Sequence, residues 1–155
     1  MLRTTLCFLI RKNEICLAMK RRGFGKGKWN GVGGKVDEGE TIEKAAIREL
    51  YEEVGVSVEG RDLRSAGSAI FYFEGRPDWN NHMFIFVVRS WKGEPQESDE
   101  MKPRWFGFHE IPYASMWVDD THWLPHVLRG EKIQAEFHFN QTGDIIERFE
   151  IRQES

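Results

Sequence analysis

Three glutamates fall within five positions of one another in the segment GETIEKAAIRELYEEVG, which runs from Gly39 to Gly55. On a helix, the spacings between Glu49, Glu52 and Glu53 place all three on one surface, with neighbouring Cβ atoms about 5–6 Å apart. Like charges so placed repel one another, and a hard divalent cation such as Mg²⁺ removes that repulsion by binding carboxylate oxygens. The spacing therefore indicates a metal site, and the alternative is an ordinary solvated acidic face.

A basic, glycine-rich segment leads into this acidic one. RRGFGKGKWNGVGG, residues 21–34, has six glycines in fourteen positions, so its backbone N–H groups are free to approach an anion. The cations of this stretch are Lys20, Arg21, Arg22, Lys26 and Lys28. A metal site beside a basic loop is the combination that phosphate-ester chemistry requires, and it favours a phosphate-handling enzyme over a solvated helix face.

The elements that must position these residues alternate between strands and helices. Thr41 predicts the N-cap of the acidic helix and Gly55 its end. Periodicity predicts a second helix at 120–128 and strands at 2–10, 14–20, 63–73, 82–90, 104–108, 132–140 and 145–152. Strands outnumber helices in a mixed order, so we expect an α/β fold, a mixed sheet flanked by two main helices, in a single domain over residues 1–155.

The composition of the chain limits the classes of partner that it is expected to bind. The 155 residues carry a net charge of −3, so no basic excess points to a nucleic-acid polymer. No apolar run approaches the roughly 20 residues that span a bilayer, so no membrane partner is expected. Cys7 and Cys16 lie in apolar runs, which favours reduced core thiols over a disulfide. We expect a cytoplasmic monomer that binds a small molecule.

The stretch from Gly34 to Val56 resembles the Nudix box at every fixed position. Those positions are Gly34, Glu40, Arg48, Glu49, Leu50, Glu52, Glu53, Gly55 and Val56. The resemblance implies a Nudix hydrolase, an α/β/α sandwich that cleaves a nucleoside diphosphate linked to a further group X. It implies Mg²⁺ as cofactor, with Mn²⁺ as an alternative. The box does not specify X.

Three further segments look like the MutT homologues that hydrolyse oxidised purine nucleoside triphosphates, such as 8-oxo-dGTP and 2-hydroxy-dATP. The segments are KRRGFGKGKWNGVGGKVDEGET, ESDEMKP and MWVDDTHWLP. By this resemblance, the metal ligands would be the Gly33 carbonyl, Glu49, Glu52, Glu53 and Glu100. The nucleotide would be bound by Thr5, Lys20, Phe24, Asn30, Val32, Gly33, Gly34, Lys35, Phe71, Trp117, Asp119 and Asp120. Arg48 would orient the acidic cluster, and Glu52, Glu53 and Glu100 are the candidates for the general base.

The residues after Trp117 suit a purine reader. An indole offers a stacking face, and two adjacent aspartates that share a proton present both a donor and an acceptor to a base edge. The alternative is that Asp119 or Asp120 only caps the following helix. One region departs from the resemblance, because Asn80 or Asn81 stands where such proteins carry a methionine, and this leaves the base preference open.

Two other functions therefore remain. One is a Nudix hydrolase for another substrate, such as a normal dNTP, a dinucleoside polyphosphate or ADP-ribose. The other is a non-catalytic nucleotide sensor. Sensors commonly lose box carboxylates because binding needs no activated water, and every one is present here, which counts against a sensor.

Overall fold

The fold is a mixed eight-stranded sheet with one helix packed on each face, as seen in a computed structural model that describes residues 1–154. The strands are β1 Leu2–Arg11, β2 Glu14–Lys20, β3 Trp29–Asn30, β4 Leu63–Phe73, β5 Asn81–Val88, β6 Met101–Gly107, β7 Ile133–Phe139 and β8 Ile146–Gln153. The helices are α1 Ile42–Val54 and α2 Asp120–Leu128. The strand order is β3-β2-β1-β5-β4-β7-β8, with β6 also paired to β2. The predicted mixed sheet with two helices is confirmed.

Period-two alternation in the central strands builds a core on each face of the sheet. In β1, Leu6 and Phe8 belong to the cluster that packs under α2, whereas Cys7 and Leu9 belong to the cluster under α1. The strand can be apolar on both faces because each face is covered by a helix.

Helix α1 has the predicted boundaries. The Thr41 hydroxyl accepts a hydrogen bond from the Lys44 N–H, and Gly55 ends the helix in a left-handed conformation at φ 72°. Leu50 and Val54 are buried, which anchors the helix on the sheet. The register of that apolar stripe determines how the glutamates of the helix face the neighbouring loop.

The glycine-rich segment returns to the sheet as an insert between β1 and β2. Strand β2 pairs with β1 only over residues 14–16 and then pairs with β3. Beyond β3, Val32 and Lys35 form isolated antiparallel bridges with Cys7 and Thr4 of β1. Gly33 lies so close to β1 that an added Cβ would stand 1.8 Å from the Thr5 carbonyl oxygen. A glycine is therefore required where this segment passes Thr5.

Most strand ends differ from prediction by one or two residues, and two differences are larger. Strand β6 begins at Met101 rather than at residue 104, because its pairing with β2 extends to Lys20↔Met101. Trp29 and Asn30 form a short strand inside the segment predicted as a loop. None of the helices within residues 1–154 has the length and apolarity needed to cross a bilayer.

Candidate functional site

Arg48 of α1 makes hydrogen bonds to several glutamates of the acidic segment. Its Nε and Nη2 donate to the two carboxylate oxygens of Glu40 at 2.8 and 3.0 Å, and Nη2 also donates to the Lys35 carbonyl. Its Nη1 donates to Glu49 at 2.9 Å and to Glu52 at 3.2 Å. Arg48 therefore gathers three carboxylates, which agrees with its predicted orienting role.

The Arg48–Glu40 pair predicts a pH-dependent stability difference. The guanidinium lowers the pKa of Glu40 from 4.5 to about 2, so the pair stabilises the fold above pH 4.5 and loses that effect as the pH falls towards 2. We expect Arg48→Lys, which cannot reproduce the two-pronged contact, to lower the melting temperature at pH 7 and to approach wild type below pH 4.5.

Thermal melts across this pH range would test the expectation. Arg61→Lys is the matched control, because Arg61 makes only an exposed contact to Glu59. A deficit in Arg48→Lys that stays constant down to pH 2 would contradict a role through Glu40.

Glu53 lies deeper than the other glutamates and fits a cation. Its Oε2 is buried and has no hydrogen-bond partner, although the side chain borders a groove shared with Lys20, Gly33 and Gly34. Burial and the adjacent Glu49 carboxylate raise the pKa of Glu53 to about 8. A buried carboxylate oxygen without a donor has the chemistry of a divalent-cation ligand, so the residues present fit the metal implied by the sequence.

Two of the other predicted metal ligands are exposed and bound to arginines. The Glu52 side chain is 55% exposed and is held by Arg48, and the Glu100 side chain is 68% exposed and accepts a hydrogen bond from Arg22 at 3.0 Å. Across residues 1–154, no three His, Cys, Asp or Glu side chains converge closely enough to hold a metal. The five-ligand set thus remains a prediction, with Glu49 and Glu53 at the centre of it.

Gly34 keeps Glu49 in place by leaving room for it. An added Cβ would lie 2.6 Å from the carboxylate, and this glycine has an ordinary backbone conformation, so the effect of a substitution would be steric. We expect Gly34→Ala to displace Glu49 and to weaken Mg²⁺ affinity about 10- to 100-fold, as when a group that orients metal ligands is lost.

Titration calorimetry with MgCl₂ would measure the loss for Gly34→Ala. Gly60→Ala is the control, since an added Cβ there has nothing within 4 Å. Equal Mg²⁺ affinity in the two variants would show that Glu49 does not need its present position.

A cavity near the start of α2 suits a flat aromatic ligand. Its floor is the sheet face under α2, and its walls come from the start of α2, the glycine-rich loop and two hairpin turns. The lining consists of Leu6, Phe24, Asn30, Phe71, Phe73, Trp79, Asn81, Met83, Trp117, Asp119, Asp120, Phe139, Thr142 and Gly143. An apolar cavity with a few polar groups is typical of a small-molecule site.

This cavity and the groove at Glu53 are parts of one cleft. Six residues border both, namely Leu6, Phe24, Asn30, Asn81, Met83 and Trp117. Lys20 and Lys28 line the groove, with Lys28 Nζ 5.2 Å from the centroid of the Trp117 ring and Lys20 close enough to Glu53 to act on its pKa. A ligand with a planar ring at one end and phosphates at the other matches this order of surfaces.

Asp119 and Asp120 are buried and are held by different partners. Asp119 Oδ2 accepts a hydrogen bond from Trp123 Nε1 at 2.8 Å, and Asp120 Oδ2 accepts one from the Trp117 N–H at 3.1 Å. Asp119 makes no side-chain cap for α2. Burial raises the pKa of both carboxyls, and the Asp119 charge raises that of Asp120 further. The helix-capping alternative therefore does not account for Asp119.

Two other predicted nucleotide residues carry polar atoms into the cleft. The Thr5 hydroxyl is buried, has no hydrogen-bond partner and borders the groove. Asn30 uses its carbonyl oxygen to accept from the Gly31 N–H at 2.8 Å, which leaves its amide donors at the junction of cavity and groove. Both arrangements agree with a ligand-binding role.

Some predicted positions do not reach the cleft. Val32 is 1% exposed and pairs with Cys7 through its backbone, and Lys35 meets Arg48 through its carbonyl, so neither side chain lines the cavity or the groove. For these two residues, the structure does not support the predicted contact. The side-chain oxygen of Asn80 accepts a hydrogen bond from the Phe73 N–H. Of the two asparagines at the position of the expected methionine, Asn81 is the one that borders the cavity.

Sequence reasoning missed residues on turns far from the motifs. Trp79 and Met83 come from the β4–β5 connection and β5, and Phe139, Thr142 and Gly143 come from the C-terminal hairpin. No local pattern marks them, although a tryptophan in a polar turn could have been noted as a ligand-facing ring.

Comparison with known proteins agrees with this geometry. The NUDIX domain profile matches residues 1–127. The chain is 44% identical to the oxidized purine nucleoside triphosphate hydrolase of Mus musculus over 149 residues, covering 96% of this chain and 93% of that protein. It is also 44% identical to the protein of the same name from Danio rerio, over 92% and 90% of the two chains. The crystal structure of a mutator MutT protein from Bacillus halodurans superposes with a TM-score of 0.83 at 25% identity, covering 97% of each chain.

Proposed function

This chain belongs to the Nudix family, and on that basis we propose that it hydrolyses oxidised purine nucleoside triphosphates, such as 8-oxo-dGTP and 2-hydroxy-dATP. The products are the nucleoside monophosphate and pyrophosphate, and the activity removes damaged nucleotides from the precursor pool. The name shared by the mouse and zebrafish relatives supports this substrate class. Such an enzyme works on a small molecule, and we expect it to act as a monomer in the cytoplasm.

The observation that carries the proposal is the continuity of the cleft. The aromatic cavity that contains Asp119 and Asp120 opens into the groove that contains Glu53. A purine in the cavity would direct its triphosphate past Lys28 and Lys20 towards Glu53. Charge complementarity along that path supports a substrate with base and phosphates in this order.

The aspartate pair supports recognition of more than one oxidised base. Burial raises the pKa of both adjacent carboxyls, and in this proposal the pair shares one proton, so that it offers a donor as well as acceptors. A guanine edge and an adenine edge place donors and acceptors differently. Relocation of the proton between Asp119 and Asp120 would let the same cavity match both.

In this proposal, Mg²⁺ or Mn²⁺ would be held by Glu49, Glu53 and the Gly33 carbonyl. Glu52 and Glu100 would join these ligands after releasing their arginine partners. The ion would neutralise phosphate charge and lower the pKa of a bound water. Of the three candidates for the general base, Glu53 is favoured because it alone borders the groove.

The balanced reaction adds one water across a P–O–P bond. The resemblance implies attack at the β-phosphorus, with the bond to the α-phosphate oxygen broken and the nucleoside monophosphate as leaving group. Lys20 and Lys28, which line the groove, would orient the phosphates.

A substrate screen tests the proposal. We expect kcat/KM for 8-oxo-dGTP and 2-hydroxy-dATP to exceed that for normal dGTP and dATP, with pyrophosphate as a product. Higher kcat/KM for normal dNTPs, dinucleoside polyphosphates or ADP-ribose would assign a different Nudix substrate. Binding of these nucleotides without hydrolysis of any of them would indicate a sensor.

A further inference from the structure

A second aromatic wall of the cavity is built around Trp79, which no sequence motif marks. Trp79 ends the 3-10 turn Pro77–Trp79 between β4 and β5. Its ring meets Phe73 edge-on, with centroids 5.6 Å apart and planes at 81°, and lies 6.4 Å from Phe24. The ring borders the cavity that also contains Trp117.

The contacts of Trp79 leave one surface of the indole towards the cavity. The guanidinium carbon of Arg76 lies 4.2 Å from the ring centroid and covers one face. Phe73 meets the ring in a T-shaped contact, and Gly143 of the C-terminal hairpin packs close enough that an added Cβ would be 3.8 Å from the ring. The indole surface that these contacts leave uncovered borders the cavity, where a ligand can contact it.

The turn that carries Trp79 is held by hydrogen bonds. The Trp79 N–H donates to the Arg76 carbonyl at 3.0 Å, and the Asn80 N–H donates to the Pro77 carbonyl at 3.2 Å. The Asn80 side chain closes the turn by accepting from the Phe73 N–H at 2.9 Å. The indole is thus positioned before any ligand arrives, and little conformational entropy would be lost on binding.

We propose that Trp79 is a substrate-binding residue that stacks on the purine and forms, with Phe24 and Trp117, a three-ring clamp at the mouth of the cavity. Phe24 links the two indoles, at 5.2 Å from Trp117 and 6.4 Å from Trp79. Stacking on an indole depends little on the base, because every base has a π-face. Trp79 therefore supplies affinity for purines in general, whereas Asp119 and Asp120 discriminate among them.

Direct binding tests this inference, which deepens the proposed function, without requiring catalysis. Calorimetry in EDTA would measure Kd for the monophosphates of 8-oxo-deoxyguanosine and deoxyguanosine. We expect Trp79→Leu to weaken both by about 30-fold, the midpoint of the range for one stacked ring, and Trp79→Phe to recover most of the loss. Trp91→Leu is the control, because Trp91 stacks on Trp105 outside the cleft, and we expect wild-type binding.

A merely structural role makes a different prediction. It would lower the melting temperature of Trp79→Leu and leave Kd unchanged at a temperature where the variant is folded, and that outcome would overturn the proposal. Wild-type protein labelled with 5-fluorotryptophan gives an independent measurement if Trp79→Leu does not fold. The Trp79 resonance, assigned by its absence from Trp79→Phe, should shift on adding the nucleotide; no shift while the Trp117 resonance moves would equally overturn it.

The proposed function can fail separately. If wild-type protein binds purine monophosphates through Trp79 but does not hydrolyse oxidised purine triphosphates, the three-ring clamp is supported and the proposed substrate is wrong. If folded Trp79→Leu hydrolyses oxidised purine triphosphates with unchanged Kd and KM, the proposed substrate is supported and the three-ring clamp is wrong.

Discussion

Glu53→Gln should lower kcat by about 10³-fold, within the range for loss of a positioned acid–base group. The amide has nearly the same shape, but it neither accepts the proton of water nor supplies a charged oxygen to a cation. The expected result depends on the buried, unpaired Oε2 of Glu53 beside the groove. Steady-state kinetics in saturating Mg²⁺ would measure it.

Glu43→Gln is the matched control, since Glu43 lies in the first turn of the same helix and borders neither the cavity nor the groove. We expect wild-type kcat for that variant. A kcat for Glu53→Gln close to wild type would remove Glu53 from the mechanism.

The same substitution should change stability with pH in EDTA. Between pH 4.5 and about 8, folded Glu53 retains a proton that the unfolded chain has lost, so wild-type stability falls as the pH rises through this window. Glutamine stays neutral and avoids that loss. The melting temperature of Glu53→Gln should therefore match wild type near pH 4.5 and exceed it by a growing margin up to pH 8.

Substituting the aspartate pair should alter which base is hydrolysed. We expect Asp119→Asn and Asp120→Asn each to reduce kcat/KM for at least one oxidised purine triphosphate by about 10-fold or more, equivalent to about 1.4 kcal/mol. Asparagine keeps an acceptor for the Trp123 Nε1–H or the Trp117 N–H, so local structure is retained. What it removes is the shared proton, which both oxidised bases are proposed to use.

Alanine at the same positions has a second, structural cost. Asp119→Ala leaves the Trp123 indole N–H buried without a partner, which costs about 1–3 kcal/mol of unfolding free energy. Melting and kinetics on both Ala and Asn variants separate that cost from base recognition. If the Asn variants retain wild-type kcat/KM for both substrates, the pair does not read the base.

The pH profiles provide a further check on the pair. Oxidised guanine and oxidised adenine require different proton arrangements on Asp119 and Asp120, so their kcat/KM profiles should differ in wild type and converge in the Asn variants. Identical wild-type profiles for the two substrates would contradict the shared proton, even if both residues contact the base.

Local signals were sufficient for the acidic helix and most strands. Thr41 and Gly55 bound the helix because capping depends on neighbours within a few residues, and the spacing of Glu49, Glu52 and Glu53 follows from helical geometry alone. The continuous apolar run at residues 6–10 of β1 likewise predicts a strand, because a strand covered on both faces is apolar throughout. The resemblance to the Nudix box also depends on adjacent positions within one segment.

Only the tertiary structure decided which of these side chains meet. Arg48 holds Glu52 and Arg22 holds Glu100, although the sequence leaves all of these partners available to one another. Trp79 and Thr142 border the same cavity as Trp117 because the sheet order places β5, β4 and β7 side by side. Helix and strand periodicities reach only a few residues, whereas strand pairing joins residues many tens of positions apart. For that reason the sequence could only propose candidate reactive residues, and the shape of the cleft came from the tertiary structure.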